Sequence, residues 1–141
     1  MRIISGAHKS KRIKAPKNLP VRPTTDMAKE GLFNILNNHY YFDEICVLDL
    51  FSGTGNISYE FASRGAKEII SVDKNYNCIR FIEKISTELN FDAICCIQAD
   101  IFEFIAKHSK EYDIIFADPP YEFDGLNKII KSVFEKKLLS N

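Results

Sequence analysis

Short apolar runs separated by helix-patterned stretches set the tightest limit on how this chain folds. Ile45–Leu50, Glu68–Asp73, Ala93–Gln98 and Tyr112–Ala117 each have the length and composition of one buried strand. Helical stretches follow them, over Asn56–Arg64, Tyr76–Leu89, about Ile101–His108 and about Leu126–Leu138. In the second of these Ile79, Ile82 and Ile85 fall on one side, and Gly65 closes the first in the way a helix C-terminus favours. Strands alternating with helices make a parallel sheet covered on both faces. The expected class is α/β.

The stretch before this pattern differs. Arg2–Ile4 and Lys11–Lys14 read as two short strands around a turn region from Ser5–Gly6 to Ser10. Pro16, Pro20 and Pro23 then keep the backbone extended. A helix begins at Asp26, with Leu32, Phe33, Ile35, Leu36 and Tyr40 as its apolar stripe. The expected organisation is a basic arm over residues 1–25 and an α/β domain over 26–141.

At 141 residues the chain can bury one core without covalent staples. No apolar run approaches the roughly 20 residues of a membrane helix, and no signal-peptide core follows the basic N-terminus. The four cysteines lack CxxC spacing and the three histidines lie far apart, so neither a disulfide nor a metal is expected. A cytoplasmic setting fits best. Net charge is zero, yet seven basic residues precede the first acid, Asp26. A basic arm on an acidic body suits a polyanion, although a solvated tail would look the same.

Asp49-Leu-Phe-Ser-Gly-Thr-Gly55 follows a strand and opens a helix, the context of a nucleotide-binding turn. Glycine allows positive φ and close backbone approach by a ligand. Asp73 ends the second strand, where a carboxylate can accept both ribose hydroxyls and repel a phosphate on that ribose. A dinucleotide fingerprint would place a third glycine where Ser58 stands. Together the loop and Asp73 indicate a nucleoside-containing ligand. Asp100 can accept from the ligand's adenine amine, or merely cap the next helix.

Asp118-Pro-Pro-Tyr121, at the end of the fourth strand, carries the most specific chemistry. Pro119 and Pro120 fix φ and remove backbone donors, leaving carbonyls that face outward. The Asp118 carboxylate and the Pro119 carbonyl can accept both hydrogens of a planar exocyclic amine, holding its nitrogen in line with a sulfonium methyl group. Tyr121 offers a ring for an unstacked base. The competing account is a rigid turn with Tyr121 in the core.

With these motifs the chain resembles the small-subunit ribosomal RNA methyltransferase D family, the 16S rRNA guanine-N2 methyltransferases. The likeness runs through Met1-Arg-Ile-Ile-Ser-Gly6, Arg22-Pro-Thr-Thr-Asp26, Lys29-Glu-Gly-Leu-Phe-Asn-Ile-Leu36, Asp49–Gly55 and Asp118–Tyr121. It implies a Rossmann-like class I methyltransferase fold and S-adenosyl-L-methionine as methyl donor. By the same resemblance Arg22–Asp26, including Thr24, closes over the methionine part of the donor. Phe51, Gly53, Gly55, Asp73, Lys74, Asp100 and Asp118 line the donor site, together with Asp49, Ser52, Thr54 and Ile101. Arg2, Lys9, Lys11, Arg12, Lys14 and Arg22 would contact ribosomal RNA, free or in an assembling small subunit.

Two departures stand out. Lys29 replaces the arginine usual in the family, at what reads as a surface position. Family members also continue past the end of this chain and supply the rest of the sheet. The resemblance thus implies a C-terminally shortened form, with its fourth strand at an exposed sheet edge. Adenine-N6 methylation of DNA or RNA, and a non-catalytic remnant that binds RNA or the donor, are the alternatives. NAD-dependent oxidoreduction would leave Asp118–Tyr121 unexplained.

Overall fold

The computed structural model describes residues 1–19, 21 and 24–140. Four parallel strands, β1 (Cys46–Leu50), β2 (Glu68–Asp73), β3 (Ile94–Gln98) and β4 (Ile114–Ala117), form one sheet in the order β3-β2-β1-β4. The helices are α1 (Asp26–Asn37), α2 (Asn56–Ser63), α3 (Tyr76–Glu88), α4 (Ile101–Lys107) and α5 (Leu126–Glu135). The strand order is that of a Rossmann-like α/β fold.

The two-residue period of the strands divides the core. Leu48, Leu50, Ile70 and Val72 face α4 and α5, where Phe104, Ile105, Ile129 and Val133 cover them. Val47 and Ile69 face the other way, onto Phe33, Phe61 and Ile57 of α1 and α2. Asp49 and Ser71 share that second face and meet Ser58 of α2 rather than apolar carbon.

The N-terminal segment is a hairpin pinned by a single antiparallel bridge, Arg2 to Arg12, not two full strands. The ladder is short: Ile3 N–H donates to Lys11 O (2.9 Å), Ile13 N–H to Met1 O (2.9 Å), Ser10 N–H to Ile3 O (2.8 Å) and the Met1 ammonium to Ile13 O (3.0 Å). Packing holds the hairpin to the body. Ile3, Ile13 and Leu19 are buried with Tyr59 of α2 and Phe81, Ile82 and Ile85 of α3. Its turn closes the end of α2: Ala7 N–H donates to Ser63 O at 2.8 Å and His8 N–H to Ser63 Oγ at 3.0 Å. Gly6, at φ +90°, sits where a Cβ would lie 2.0 Å from Ser63 O.

The expected stripe on α1 needs one correction. Phe33 is wholly buried, whereas Ile35 is 61% exposed. Two residues rotate a helix by about 200°, so Ile35 cannot share the face of Phe33. Helix α5 ends at Glu135, earlier than its apolar pattern suggests. Lys137 takes a left-handed conformation (φ 54°), which returns Leu138 to the core. Leu138 O and Ser140 N–H then bond Tyr112 (2.7 Å each), two residues ahead of β4. Pro20, Arg22, Pro23 and Asn141 lie outside the described residues.

Candidate active site

Parallel pairing brings the chemistry-bearing loops to one end of the sheet. Leu50 pairs with Ala117 and with Val72, so Phe51, Asp118 and Asp73 follow at the same level on adjacent strands. Asp73 in turn pairs with Gln98, two residues before Asp100. The carboxyl edge of an open α/β sheet is where such folds bind ligands.

The loop after β1 turns through left-handed conformations at Phe51 (φ 57°), Gly53 (φ 55°) and Gly55 (φ 91°). Gly55 tolerates no side chain, since a Cβ would fall 2.6 Å from the ring of buried Tyr59. Ser52 N–H and Oγ both bond Val72 O, and Gly53 N–H donates to Asp73 Oδ2 at 2.9 Å. Asp73 Oδ1 also accepts from Asn75 N–H at 2.8 Å, so both oxygens are oriented and each keeps a lone pair. Thr54 and Ser52 are buried in the loop, and Lys74 is exposed just beyond Asp73.

Asp49 lies beneath this loop. It is 1% exposed, and its Oδ2 accepts from Ser58 Oγ at 2.6 Å, with Ser71 Oγ 2.6 Å further along. Burial pushes its carboxyl up to about 7; the Ser58 hydroxyl opposes that, and the charges of Asp73 and Asp118 add to it. Asp100 caps α4, accepting from Glu103 N–H at 3.2 Å, while Ile101 beside it is buried.

After β4 the chain runs through exposed Asp118, half-buried Pro119 and exposed Pro120 to Tyr121. Tyr121 is 88% exposed and therefore not a core residue. Phe123 N–H donates to Pro120 O at 3.0 Å and closes the turn. The Phe123 ring meets Phe51 edge-on at 5.1 Å and stacks on Phe102 at 6.1 Å. Sequence reasoning gave Phe102 and Phe123 no role. The available signal was an aromatic residue beside each of three loops that strand order brings together.

The Arg22–Asp26 segment is described in part. Thr24 O accepts from Asn56 Nδ2 at 3.3 Å, which ties the segment to the first residue of α2, directly after Gly55. Asn56 Oδ1 in turn accepts from Lys29 Nζ at 2.7 Å. Lys29 is not a surface residue. It is 1% exposed, donates to Arg2 O at 3.0 Å and pairs with Glu60 Oε1 at 3.1 Å. Burial holds its ammonium below the ordinary lysine value, against the pull of Glu60. Glu60 also accepts from Ile4 N–H, Ser5 N–H and Arg64 Nε. The hairpin, α1, α2 and the glycine loop thus share one buried polar network.

On the hairpin, Lys9, Lys11, Arg12 and Lys14 are exposed. Arg2 is partly covered and its Nε lies 3.3 Å from Asp26 Oδ2. Arg22 lies outside the described residues. Among the described residues, no three metal-ligating side chains come together.

The family model described as Conserved hypothetical protein 95 matches residues 1–141. The ribosomal RNA small subunit methyltransferase D of Buchnera aphidicola subsp. Baizongia pistaciae is 34% identical over 141 residues, covering all of this chain and 71% of that protein. The solved chain of yhhF from Escherichia coli superposes with a TM-score of 0.89 at 24% identity, over 99% of this chain and 75% of the other. Coclaurine N-methyltransferase, solved with N-methylheliamine and SAH, has a TM-score of 0.63 at 21% identity, over 84% of this chain and 35% of the other. At those identities the two structures establish a shared fold. The chain belongs to the Conserved hypothetical protein 95 family, the family of the ribosomal RNA small subunit methyltransferases D.

Proposed function

We propose that this chain transfers a methyl group from S-adenosyl-L-methionine to the 2-amino group of a guanine in small-subunit ribosomal RNA. The observation that carries the reading is the position of Asp118–Tyr121 beside the glycine loop, one residue beyond the Leu50–Ala117 pair. Donor and acceptor groups would thereby meet at the end of two adjacent strands.

The site fits a nucleoside donor. Gly53 and Gly55 give the loop its left-handed turns, with the Val21 side chain 3.2 Å from where a Gly53 Cβ would lie, and Asp73 keeps lone pairs for two ribose hydroxyls. Phe51, Ser52, Thr54, Lys74, Asp100 and Ile101 complete the proposed donor contacts, with Thr24 on the closing segment and Asp49 acting from beneath the loop. When bound, the donor supplies a methyl group already activated on a sulfonium.

The protein therefore has to orient and polarise the acceptor. An exocyclic amine is a weak nucleophile because its lone pair is delocalised into the base. Asp118 Oδ and the Pro119 carbonyl would accept its two hydrogens, fixing the direction of the lone pair. Positive charge grows on that nitrogen as the new C–N bond replaces the S–CH3 bond, both acceptors stabilise it, and the surplus amine proton is then lost to Asp118 or to water. Tyr121, 88% exposed, would stack on the extruded base. Residues 1–25 act as the RNA-contacting arm and 26–141 as the transfer domain, working in the cytoplasm where ribosomal RNA is assembled.

Asp118→Ala tests the assignment. Transfer to undermodified small subunits should fall by at least 100-fold while donor affinity, read by calorimetry, changes little. Full transfer by the variant would remove Asp118 from the mechanism.

A further inference from the structure

A second basic feature lies outside the hairpin. Between the end of the arm and α3 runs an open groove of about 400 Å³. Its floor is apolar, made by Leu19 and Phe81, both nearly buried, with Pro16 at one end. Its polar edge carries the amides of Asn18 and Asn77 and the cations of Arg80 and Lys84, with no acid among the lining residues.

Arg80 is partly pre-oriented. Its Nη1 donates to Tyr76 OH at 3.2 Å, its guanidinium lies 5.8 Å from the Tyr76 ring centre, and it makes no ion pair among the described residues. Lys84 has only a loose, exposed partner in Glu88 at 4.0 Å. The groove is continuous with the arm, because exposed Lys14 and Lys17 flank Pro16. Across α3, by contrast, a groove of similar size is lined by Glu83 and Asp92 with no cation. The basic character is thus confined to the side of α3 that faces the arm.

We propose that this groove is a second RNA-contact surface. It binds a single-stranded stretch, with phosphates on Arg80 and Lys84, one base on the Leu19–Phe81 floor, and base-edge hydrogen bonds to Asn18 and Asn77. This deepens the reading of the chain as an RNA methyltransferase and rests on it. An apolar floor with a cationic rim matches the way single strands are held, by base contact plus phosphate neutralisation. A duplex would keep its bases stacked and leave the floor unused.

The test compares the whole chain with its Arg80→Ala/Lys84→Ala form. Binding of a fluorescein-labelled single-stranded small-subunit RNA fragment is followed by anisotropy across a salt series. Losing two phosphate contacts should weaken binding about tenfold near physiological salt and flatten the log–log salt slope by about 1.4. Donor affinity and the thermal midpoint should change little, because both side chains are exposed and neither bonds the glycine loop. Equal affinity and slope in both forms, with the wild-type chain binding RNA, would overturn the groove and leave the methyltransferase reading intact. A wild-type chain that binds no RNA would overturn both.

Discussion

Lys29 Nζ and Glu60 Oε1 lie 3.1 Å apart with both side chains at 0% exposure, and this pair joins the N-terminal hairpin to the helix that opens at the glycine loop. Two charges taken from water are tolerable only when each is multiply hydrogen-bonded. Lys29 finds Arg2 O and Asn56 Oδ1, and Glu60 finds Ile4 N–H, Ser5 N–H and Arg64. Lys29→Met therefore leaves a buried carboxylate short of a partner. The expected loss in urea unfolding is about 3–5 kcal/mol; a loss below about 0.5 kcal/mol would show that the pair contributes nothing net.

The same network sets one limb of the pH profile. Burial alone would raise the Glu60 carboxyl, but the Ile4 N–H, Arg64 and Lys29 together hold it below the ordinary 4.5. A depressed carboxyl stabilises the fold above its unfolded value and loses that contribution as pH falls through the folded one. Unfolding free energy should drop steeply below pH 4.5, and Glu60→Gln should flatten that limb.

Asp49 acts with the opposite sign. Its carboxyl goes from 3.8 when unfolded to about 7 when buried, so between those values the folded chain holds a proton the unfolded chain has released. Stability should decline as pH rises through that window, by at most about 1.4 kcal/mol per unit from this one group. Asp49→Asn should abolish the decline. A profile unchanged by Asp49→Asn would mean that the residue is ionised throughout.

Gly55 and Gly65 separate strain from obstruction. Both have φ near +90°, but a Cβ at Gly55 would strike the Tyr59 ring at 2.6 Å and one at Gly65 meets nothing within 4 Å. Gly65→Ala should cost about 1–2 kcal/mol of stability and spare donor binding. Gly55→Ala should weaken donor binding by more than tenfold, measured by calorimetry. Similar donor affinities in the two variants would remove the glycine loop from the donor site.

Much of the fold was legible in the chain because strand and helix periods are local properties. The runs at Ile45–Leu50 and Glu68–Asp73 and the Ile79, Ile82, Ile85 stripe needed no knowledge of their neighbours. Lys29 was not legible in this way. A lysine in a helix reads as solvated unless its carboxylate partner, here Glu60 on another helix, is known. Phe102 and Phe123 were hidden for a related reason: Phe123 meets Phe51 and Phe102 only through the strand order β3-β2-β1-β4, which no local pattern encodes. Ile35 failed in the other direction, because an apolar residue was assigned to a face that helix geometry denies it. For Asp100, two roles were read from one position, and the structure displays the cap.

One assay reads the acceptor atom directly. Undermodified small ribosomal subunits are incubated with this chain and methyl-labelled S-adenosyl-L-methionine, and the RNA is digested to nucleosides. Label recovered in N2-methylguanosine is the expected result. Label in N6-methyladenosine, or no label from protein shown to be folded, would contradict it.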